Sequence, residues 1–479
     1  MQAMASVFVS LLALLLATSL VATAEAPVAS VPQVLRITNL LRTIDLTQTL
    51  VRETTSAAIL NTGTEPQSEY YFPVDQAYLP NLALIMAENR KTKESLEIEK
   101  DGQYTNDQHQ FYKIQLSPPL GAGEKLQVTV KSVLSNFIRP FPARIGQSEQ
   151  QGFMYSGNAF ALSAYPTSKQ KTTVQTPGKN MQIHAHPVDS KPQVTNNEVI
   201  LGPFGNMGAL VKDALQVEYE MTGPVIHFRE FRRDVEVTHW GSNLAVEDHY
   251  NFVNRGARLQ GQYIRKGARL PPSGAEVGNA VKAFVVGIPK LARDIYYRDE
   301  IGNISTSTIH HLDKAIGLSL QPRFPIFGGW NTTFYTGYNV PLDGIVHRVP
   351  DTEKYILKMY LFDLIKESSY DKVEVRVVLP EGSKNVKAHL PFSVDSIEYS
   401  ISKTYMDSAG RSTVTIKASN LAEDHVQELL VEYEYPESAY IIKPLAAASL
   451  LMGIFLVSMV FSRLNLRIQG QGPVKVKQI

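Results

Sequence analysis

The chain has 479 residues, and its 47 basic and 46 acidic side chains give a formal net charge of +1 at pH 7. It has no basic excess to neutralise phosphates, which argues against nucleic acid as a partner. It also contains no cysteine, which excludes disulfides, cysteine nucleophiles and thiolate metal sites. The length is sufficient for two or three domains, each with its own hydrophobic core.

Residues 1–24 have the features of a signal peptide. The apolar run Val7–Val21 is too short to span a bilayer comfortably, and Ala22-Thr23-Ala24 has the small-x-small pattern of a signal-peptidase site. We therefore predict cleavage between Ala24 and Glu25. A retained signal anchor is the alternative, because the residues before the apolar run include no Lys or Arg.

Most of the chain that follows consists of short runs in which apolar and polar residues alternate. Examples are Leu126–Val130, Val373–Val377 and Val414–Ala418. Because successive strand side chains point to opposite faces, this pattern predicts half-buried antiparallel sheets and a mainly β fold.

Three segments do not show this alternation. Lys169–Lys191 and Tyr296–Glu300 have the composition of polar loops, and Glu353–Glu367 fits either a helix or two strands.

An internal repeat indicates two tandem, related β-rich domains. Asp213–Glu220 resembles Gln427–Glu434, and both contain Val-Glu-Tyr-Glu; earlier, Ala57–Gly63 and Tyr250–Gly256 each end an apolar strand in Asn-x-Gly. The predicted domains cover residues 25–224 and 225–437, with Thr222-Gly-Pro224 as the joint. Chance similarity between short β-prone segments is the alternative.

No familiar catalytic or cofactor motif occurs, so the sequence predicts no catalytic residue, no metal site and no cofactor. His184 and His186 would share a strand face, but without a nearby acidic ligand we interpret them as a surface pair. His310 and His311 would point to opposite faces. Glu247-Asp248 is interpreted as surface charge, because adjacent residues on a strand diverge.

Two Asn-x-Ser/Thr sequons begin at Asn303 and Asn331. If this part of the chain enters the secretory pathway, both are candidate glycosylation sites on exposed segments.

A single transmembrane helix is predicted over residues 439–462. Its uncharged core, Pro444–Ser462, would be about 28 Å long as a helix, close to the ~30 Å hydrocarbon layer. The tail, residues 463–479, carries only basic charges, whereas acidic residues precede the span. The positive-inside rule therefore predicts a single-pass type I protein with a cytosolic tail. Small residues at Ala446–Ser449 and Gly453 offer the span a packing surface.

Lys475 and Lys477 lie at the fifth and third positions from the carboxyl end. This spacing resembles the dilysine retrieval signal of type I proteins of the endoplasmic reticulum, which is an address and not an anchor. Two unrelated lysines in a basic stop-transfer tail are the alternative.

Several longer blocks resemble the ribophorin I family, a subunit family of the oligosaccharyltransferase complex. The blocks are Thr238–Asp248 with Gly256–Arg265, then Tyr296–Ser307 and Pro322–Trp330, in the family's order. The plan of signal peptide, long lumenal region, one span and basic tail also matches. The short tail resembles the fungal form of the family, and animal members have longer tails.

The resemblance implies a subunit of the complex that transfers a preassembled glycan from dolichyl diphosphate to Asn in Asn-x-Ser/Thr. The implied partners are other subunits including the multispanning catalytic subunit, nascent polypeptides, the translocation channel and the lipid bilayer. The residues favour an accessory role, because one span cannot enclose a polyprenyl diphosphate and no acidic residue in or beside the span offers a site for a metal ion. Two alternatives remain: an independent lumenal chaperone or cargo receptor, and a hydrolase built on a β scaffold.

Overall fold

The structure, a computed structural model, describes residues 30–464 except 148, 179, 189, 265–278, 314, 404–406 and 408. The chain divides into two compact units. Unit 1 comprises Met1–Arg139 and Gly152–Met221, and unit 2 comprises Pro140–Gln151 and Thr222–Ile479. The short segment Pro140–Gln151 therefore belongs to the second unit, although it interrupts the first in sequence.

Strands account for most of unit 1. They are β1 (Leu35–Asp45), β2 (Val51–Asn61), β3 (Gln67–Asp75), β4 (Leu82–Asn89), β5 (Ser95–Leu96), β6 (Ile98–Asp101), β7 (His109–Leu120) and β8 (Lys125–Leu134). Next come β9 (Arg139–Pro140) at the boundary and β10 (Arg144–Ile145), which lies in the inserted segment of unit 2. Unit 1 then continues with β11 (Gly152–Asn158), β12 (Thr167–Gln175), β13 (Met181–Ala185), β14 (Gln193–Thr195), β15 (Glu198–Met207) and β16 (Ala214–Glu220). A 3₁₀ turn covers Gln76–Asn81.

Unit 2 is also built mainly of strands. They are β17 (Ile226–Thr238), β18 (Asn243–Asn254), β19 (Arg258–Leu259), β20 (Phe284–Pro289), β21 (Arg293–Asp299), β22 (Thr308–His311), β23 (Ala315–Leu320) and β24 (Asn331–Pro341). They continue with β25 (Val346–Arg348), β26 (Lys354–Tyr360), β27 (Ser369–Glu381), β28 (Lys384–His389), β29 (Ser396–Ser402), β30 (Arg411–Ala422) and β31 (Glu428–Glu434). A 3₁₀ turn covers Glu423–His425, and one helix, α1, covers Ala439–Arg463.

The two units have the same sheet topology. The main sheet of unit 1 runs β14-β15-β12-β1-β2-β8-β4-β5, and that of unit 2 runs β21-β24-β18-β17-β27-β30-β29. If the order in unit 2 is reversed, each of its seven strands corresponds to one strand of unit 1, and only the short β5 has no counterpart in this sheet. Each sheet is antiparallel except at one central parallel pair, β1 with β12 and β17 with β27.

The smaller sheets correspond as well. Strand β16 pairs with β11 and β13, as β31 pairs with β26 and β28. The three-stranded sheets β3-β7-β6 and β20-β23-β22 also match. The prediction of a mainly β chain with two related units and one carboxyl-terminal helix is therefore confirmed.

The repeated Asn-x-Gly segments occupy equivalent places. Asn61 ends β2 and accepts a hydrogen bond from the Gly63 amide, and Asn254 ends β18 and accepts one from the Gly256 amide. Both asparagines are buried, and each donates from Nδ2 to two carbonyls of other segments. The sequence repeat thus marks a turn that ties the second strand of each unit to its surroundings.

The alternation of side chains along each strand determines which residues enter the core. Every second residue of β2, from Val51 to Asn61, is buried, and the intervening residues are half-exposed. The core of unit 2 is rich in aromatic rings, with Phe228 stacked on Tyr370 at 4.9 Å between ring centroids. Burial of such rings contributes much of the apolar driving force for folding.

Three local predictions need correction. Lys169–Lys191 contains most of β12, in which polar residues such as Thr172 are buried inside the main sheet, and all of the edge strand β13. Tyr296–Asp299 ends β21 and pairs with β24. Glu353–Glu367 forms neither a helix nor two strands: it holds the single strand β26, and the buried Leu361 and Phe362 follow it without regular structure.

Candidate functional site

The histidine pairs considered as candidates for metal binding do not form a metal site among the described residues. Among the described residues, no group of three His, Asp or Glu side chains is arranged to hold a metal ion. His184 Nε2 lies 2.7 Å from Oε2 of Glu218, so an acidic neighbour is present, contrary to our prediction. His186 instead contacts Ser190 and the Pro187 carbonyl. His310 and His311 are both exposed on β22.

Asp248 corrects the interpretation of Glu247-Asp248 as surface charge. Its side chain is 1% exposed and forms a bidentate pair with Arg233, at 2.7 Å from Nε and 2.6 Å from Nη2. Glu247, on the other face of β18, contacts Tyr296 and His249. The two carboxylates do diverge, as strand geometry requires, but one of them points into the core.

Arg233 holds a second buried carboxylate, that of Asp363, at 2.7 Å. Its Nη1 donates to the Tyr360 carbonyl, and the Tyr338 hydroxyl donates to Asp363. Burial, with Asp248 close by, raises the pKa of Asp363 to about 7, whereas the positive charge of Arg233 and its hydrogen bond to Asp363 oppose that rise. Two carboxylates that share one guanidinium favour retention of a proton on one of them.

Unit 1 has a corresponding buried pair. Arg42 on β1 contacts Glu53 on β2 at 2.7 Å and donates to the Asn158 carbonyl, and the Tyr155 hydroxyl donates to Glu53. In both main sheets the arginine lies on the first strand in chain order and its acid on the second. Because each charged group has a charged protein partner, these clusters fit a structural role better than a reaction centre.

The base of α1 is fixed to unit 2. Ala439 is buried in the core cluster of unit 2, and Nζ of Lys443 lies 2.9 Å from Asp407 and 3.5 Å from Glu381. Both carboxylates are nearly or completely buried. The prediction that no acidic residue lies beside the span is therefore wrong, because the fold brings two acids from distant positions to its first turn. Both are already paired with Lys443, and Asp407 is also paired with Arg411.

Beyond this base, α1 is exposed along the described helix, and its length and composition suit a membrane span. Ala446, Ser449 and Gly453 recur at intervals of three and four residues, so they share one face. A methyl group added at Gly453 would meet no atom within 4 Å. This face is available for close packing against another helix.

The two predicted sequons lie at one end of unit 2. Asn303 is exposed, and its Oδ1 accepts a hydrogen bond from Arg298. Asn331 is exposed at the start of β24, and Thr333 of the same sequon donates to Glu300. Ala24, Glu25, Lys475 and Lys477 lie outside the described residues.

Together these features define a class: a mainly β protein of two topologically equivalent units, followed by one helix able to cross a membrane. The family model for ribophorin I matches residues 35–462. The chain therefore belongs to the ribophorin I family, which confirms the resemblance inferred from its sequence blocks.

Its relatives are similar over most of their length. The chain is 32% identical over 438 residues to dolichyl-diphosphooligosaccharide–protein glycosyltransferase subunit 1 of Caenorhabditis elegans, covering 91% of this chain and 73% of the relative. It is 31% identical to subunit 1A of Arabidopsis thaliana, covering 97% and 75%. Among solved structures, a two-domain M1 zinc metallopeptidase aligns over 44% of each chain with a TM-score of 0.26 and 10% identity, too low to bear on fold or function.

Proposed function

We propose that this chain is a non-catalytic subunit of the oligosaccharyltransferase complex, which transfers a preassembled glycan from dolichyl diphosphate to Asn in nascent proteins. The observation that carries the proposal is the family match over residues 35–462, with relatives named as subunit 1 of that glycosyltransferase. The protein would reside in the endoplasmic reticulum membrane, with both β units lumenal and the basic tail cytosolic.

The contacts of the buried acids support an accessory role. Asp248 and Asp363 form buried ion pairs with Arg233, and Glu53 forms one with Arg42. Asp407 and Glu381 are bonded to Lys443. A carboxylate committed to a buried ion pair is poorly placed to hold a metal ion or a substrate diphosphate. The contribution of the subunit to glycan transfer is therefore made through contacts with other components.

One such contact is the small-residue face of α1. Helices in lipid associate through close packing, which small side chains permit. The multispanning catalytic subunit is the proposed helix partner. The two β units would lie where nascent chains leave the translocation channel, and they could hold those chains near the active site.

A matched pair of substitutions tests the helix contact. Ala446→Leu adds bulk on the small-residue face, and Ala448→Leu adds the same bulk about 200° around the helix, at 100° per residue. We expect Ala446→Leu, alone or with Gly453→Leu, to lower co-purification of the catalytic subunit, and Ala448→Leu to leave it unchanged. Equal effects of the two variants would contradict packing through this face.

The accessory role is tested by glycan transfer per assembled complex. Depletion of the subunit should lower the amount of intact complex and leave many sequons unoccupied, with the transferred glycan unchanged. Conservative substitutions of exposed acids, such as Glu300→Gln, should leave turnover per complex nearly intact. Loss of turnover with normal assembly would instead favour a catalytic role. Substrate binding without stable membrane partners would favour an independent chaperone or cargo receptor.

A further inference from the structure

The turn between β17 and β18 exposes a tryptophan. Trp240 is 75% exposed, although its neighbours His239 and Leu244 pack inward. An indole has a large apolar surface and one polar N–H, so it is suited to an environment that is apolar at one end and wet at the other. The described part of unit 2 leaves most of the Trp240 indole uncovered.

This turn lies against the base of α1. The His239 ring stacks on Tyr435, with centroids 4.8 Å apart and planes 13° from parallel, and its centroid is 6.0 Å from that of Tyr440. Trp240 and Lys443 line the same surface depression. The turn is therefore fixed beside the first residues of the helix.

The position of Tyr440 along α1 indicates how deep the neighbouring turn lies in the bilayer. Tyr440 precedes the apolar run, which starts at Pro444, by four residues, and at 1.5 Å per residue that is about 6 Å. The polar headgroup layer on each side of a ~30 Å hydrocarbon core is about 5–8 Å thick. If the apolar run fills the core, Trp240 lies within the headgroup layer, where Trp and Tyr are enriched in membrane proteins.

Two other features of unit 2 agree with this depth. Ile401 on β29 is 72% exposed, and the neighbouring Ser402 pairs with Arg411, which lines the same depression as Trp240. Strand β24 pairs Pro341 with Asn243 beside the turn, and its other end, Asn331, is about 33 Å away at the usual rise per residue. The sequons are thus at the end remote from the helix base.

We propose that the turn between β17 and β18 is a second membrane contact, in which the Trp240 indole enters the headgroup layer of the bilayer that α1 crosses. The partner is the lipid surface. Together with the ion pairs of Lys443, this contact fixes the tilt of unit 2 relative to the membrane. The inference rests on the membrane span proposed above.

The chain's two tryptophans make the contact measurable by fluorescence. Trp330→Phe leaves Trp240 as the only indole and keeps an aromatic ring near Phe327. In phosphatidylcholine nanodiscs that carry the full chain, we expect blue-shifted Trp240 emission and loss of intensity when the lipids bear a nitroxide near the headgroup. The matched variant Trp240→Phe retains only Trp330, next to Asn331 at the remote end, and should not be quenched.

Solvent-like emission of Trp240 without quenching by these lipids would overturn the proposal. A third variant separates this failure from failure of the span. In the chain without Trp240 and Trp330, Leu451→Trp places an indole in the middle of the apolar run, and nitroxides deep in the acyl chains should quench it. If Leu451→Trp is quenched and Trp240 is not, only the contact of the turn fails. If neither is quenched, the proposed membrane span fails.

Discussion

Arg233 and Asp248 form a two-point ion pair in the core of unit 2, with both side chains 1% exposed. Arg233 on β17 and Asp248 on β18 are direct cross-strand partners. The pair therefore joins β17 and β18 from inside the core, where the dielectric constant is low and an unpaired charge is costly.

Replacing Arg233 by Met leaves Asp248 and Asp363 buried without their cation. We expect the free energy of unfolding of unit 2 to fall by about 3–5 kcal/mol, the usual cost of breaking a buried pair. The neighbouring Arg232 provides the control, because it is half-exposed and pairs with Asp234 at the surface. Arg232→Met should cost at most about 1 kcal/mol. Urea unfolding of the solubilised full chain measures both, and equal effects would contradict the structural role.

The raised pKa of Asp363 gives a pH dependence of known sign. Its pKa is about 7 in the folded chain and 3.8 in the reference state, so the folded state binds the extra proton between these values. Stability from this group is therefore fully present at low pH and is lost as the pH rises toward 7. The slope is at most about 1.4 kcal/mol per pH unit for one proton.

Asp363→Asn should remove this slope, because the amide resembles the protonated acid. The variant should gain stability relative to the unsubstituted chain as the pH rises from 5 to 8, as measured by urea midpoints at each pH. Parallel pH profiles of the two proteins would exclude a proton on Asp363.

Asn61 and Asn254 should be equivalent in energy as well as in topology. On substitution by Ala, each loses several hydrogen bonds made by a buried side chain, for which we expect about 2–3 kcal/mol of destabilisation in its own unit. Asn251 is the control, since it lies on the same strand as Asn254 but is partly exposed. Asn251→Ala should change the unfolding midpoint little, and a cost as large as that of Asn254→Ala would argue against the turn as the cause.

The topology predicts which segments a protease can reach. In sealed microsomes the two β units should be protected, and the tail with Lys475 should be cleaved. Asn303→Gln and Asn331→Gln should each remove one glycan, detected by the mobility change after glycosidase treatment. Digestion of the β units with a protected tail would reverse the proposed orientation.

The retrieval hypothesis concerns protein made in excess of its partners. Lys475→Ser with Lys477→Ser should weaken its return from the Golgi, so that its own glycans acquire Golgi-type trimming. Arg463→Ser with Arg467→Ser removes the same charge outside the motif and serves as the control. Unchanged trimming in the lysine variant would leave the two lysines as ordinary tail charges.

Local patterns were enough to predict the mainly β character of the chain, the carboxyl-terminal helix and the repeat. The alternation that marks a strand can be detected within a few neighbouring residues, and the apolar composition that marks the helix within about twenty. Neither signal depends on which distant segment the element packs against. The repeat could be detected because Asn61 and Asn254 must make the same turn in both units. The sheet order was beyond prediction, because pairing of β1 with β12 joins residues 130 positions apart, such as Ile37 and Thr167.

Asp248 shows where local reasoning fails and which signal was available. Its partners Arg233 and Asp363 are 15 and 115 residues away, so sequence proximity gave no indication of a buried cluster. The available signal was the alternation of side chains along the strand. Asp248 shares one face of β18 with the apolar Val246 and Tyr250, and that face is buried. Asp407 and Glu381 beside Lys443 had no comparable signal, since their approach depends on the completed sheet.

The central parallel pairs also set the order in which each unit can form during synthesis. His227 on β17 lies beside Ser369 on β27, and 142 positions separate them. At roughly 5–20 residues per second, β17 waits about 7–30 seconds for that neighbour. Asn303 and Asn331 are made within this interval, before the main sheet of unit 2 is complete. In the proposed topology, both acceptor asparagines therefore pass the transferase on an unfinished domain, and the chain can receive its own glycans before it folds.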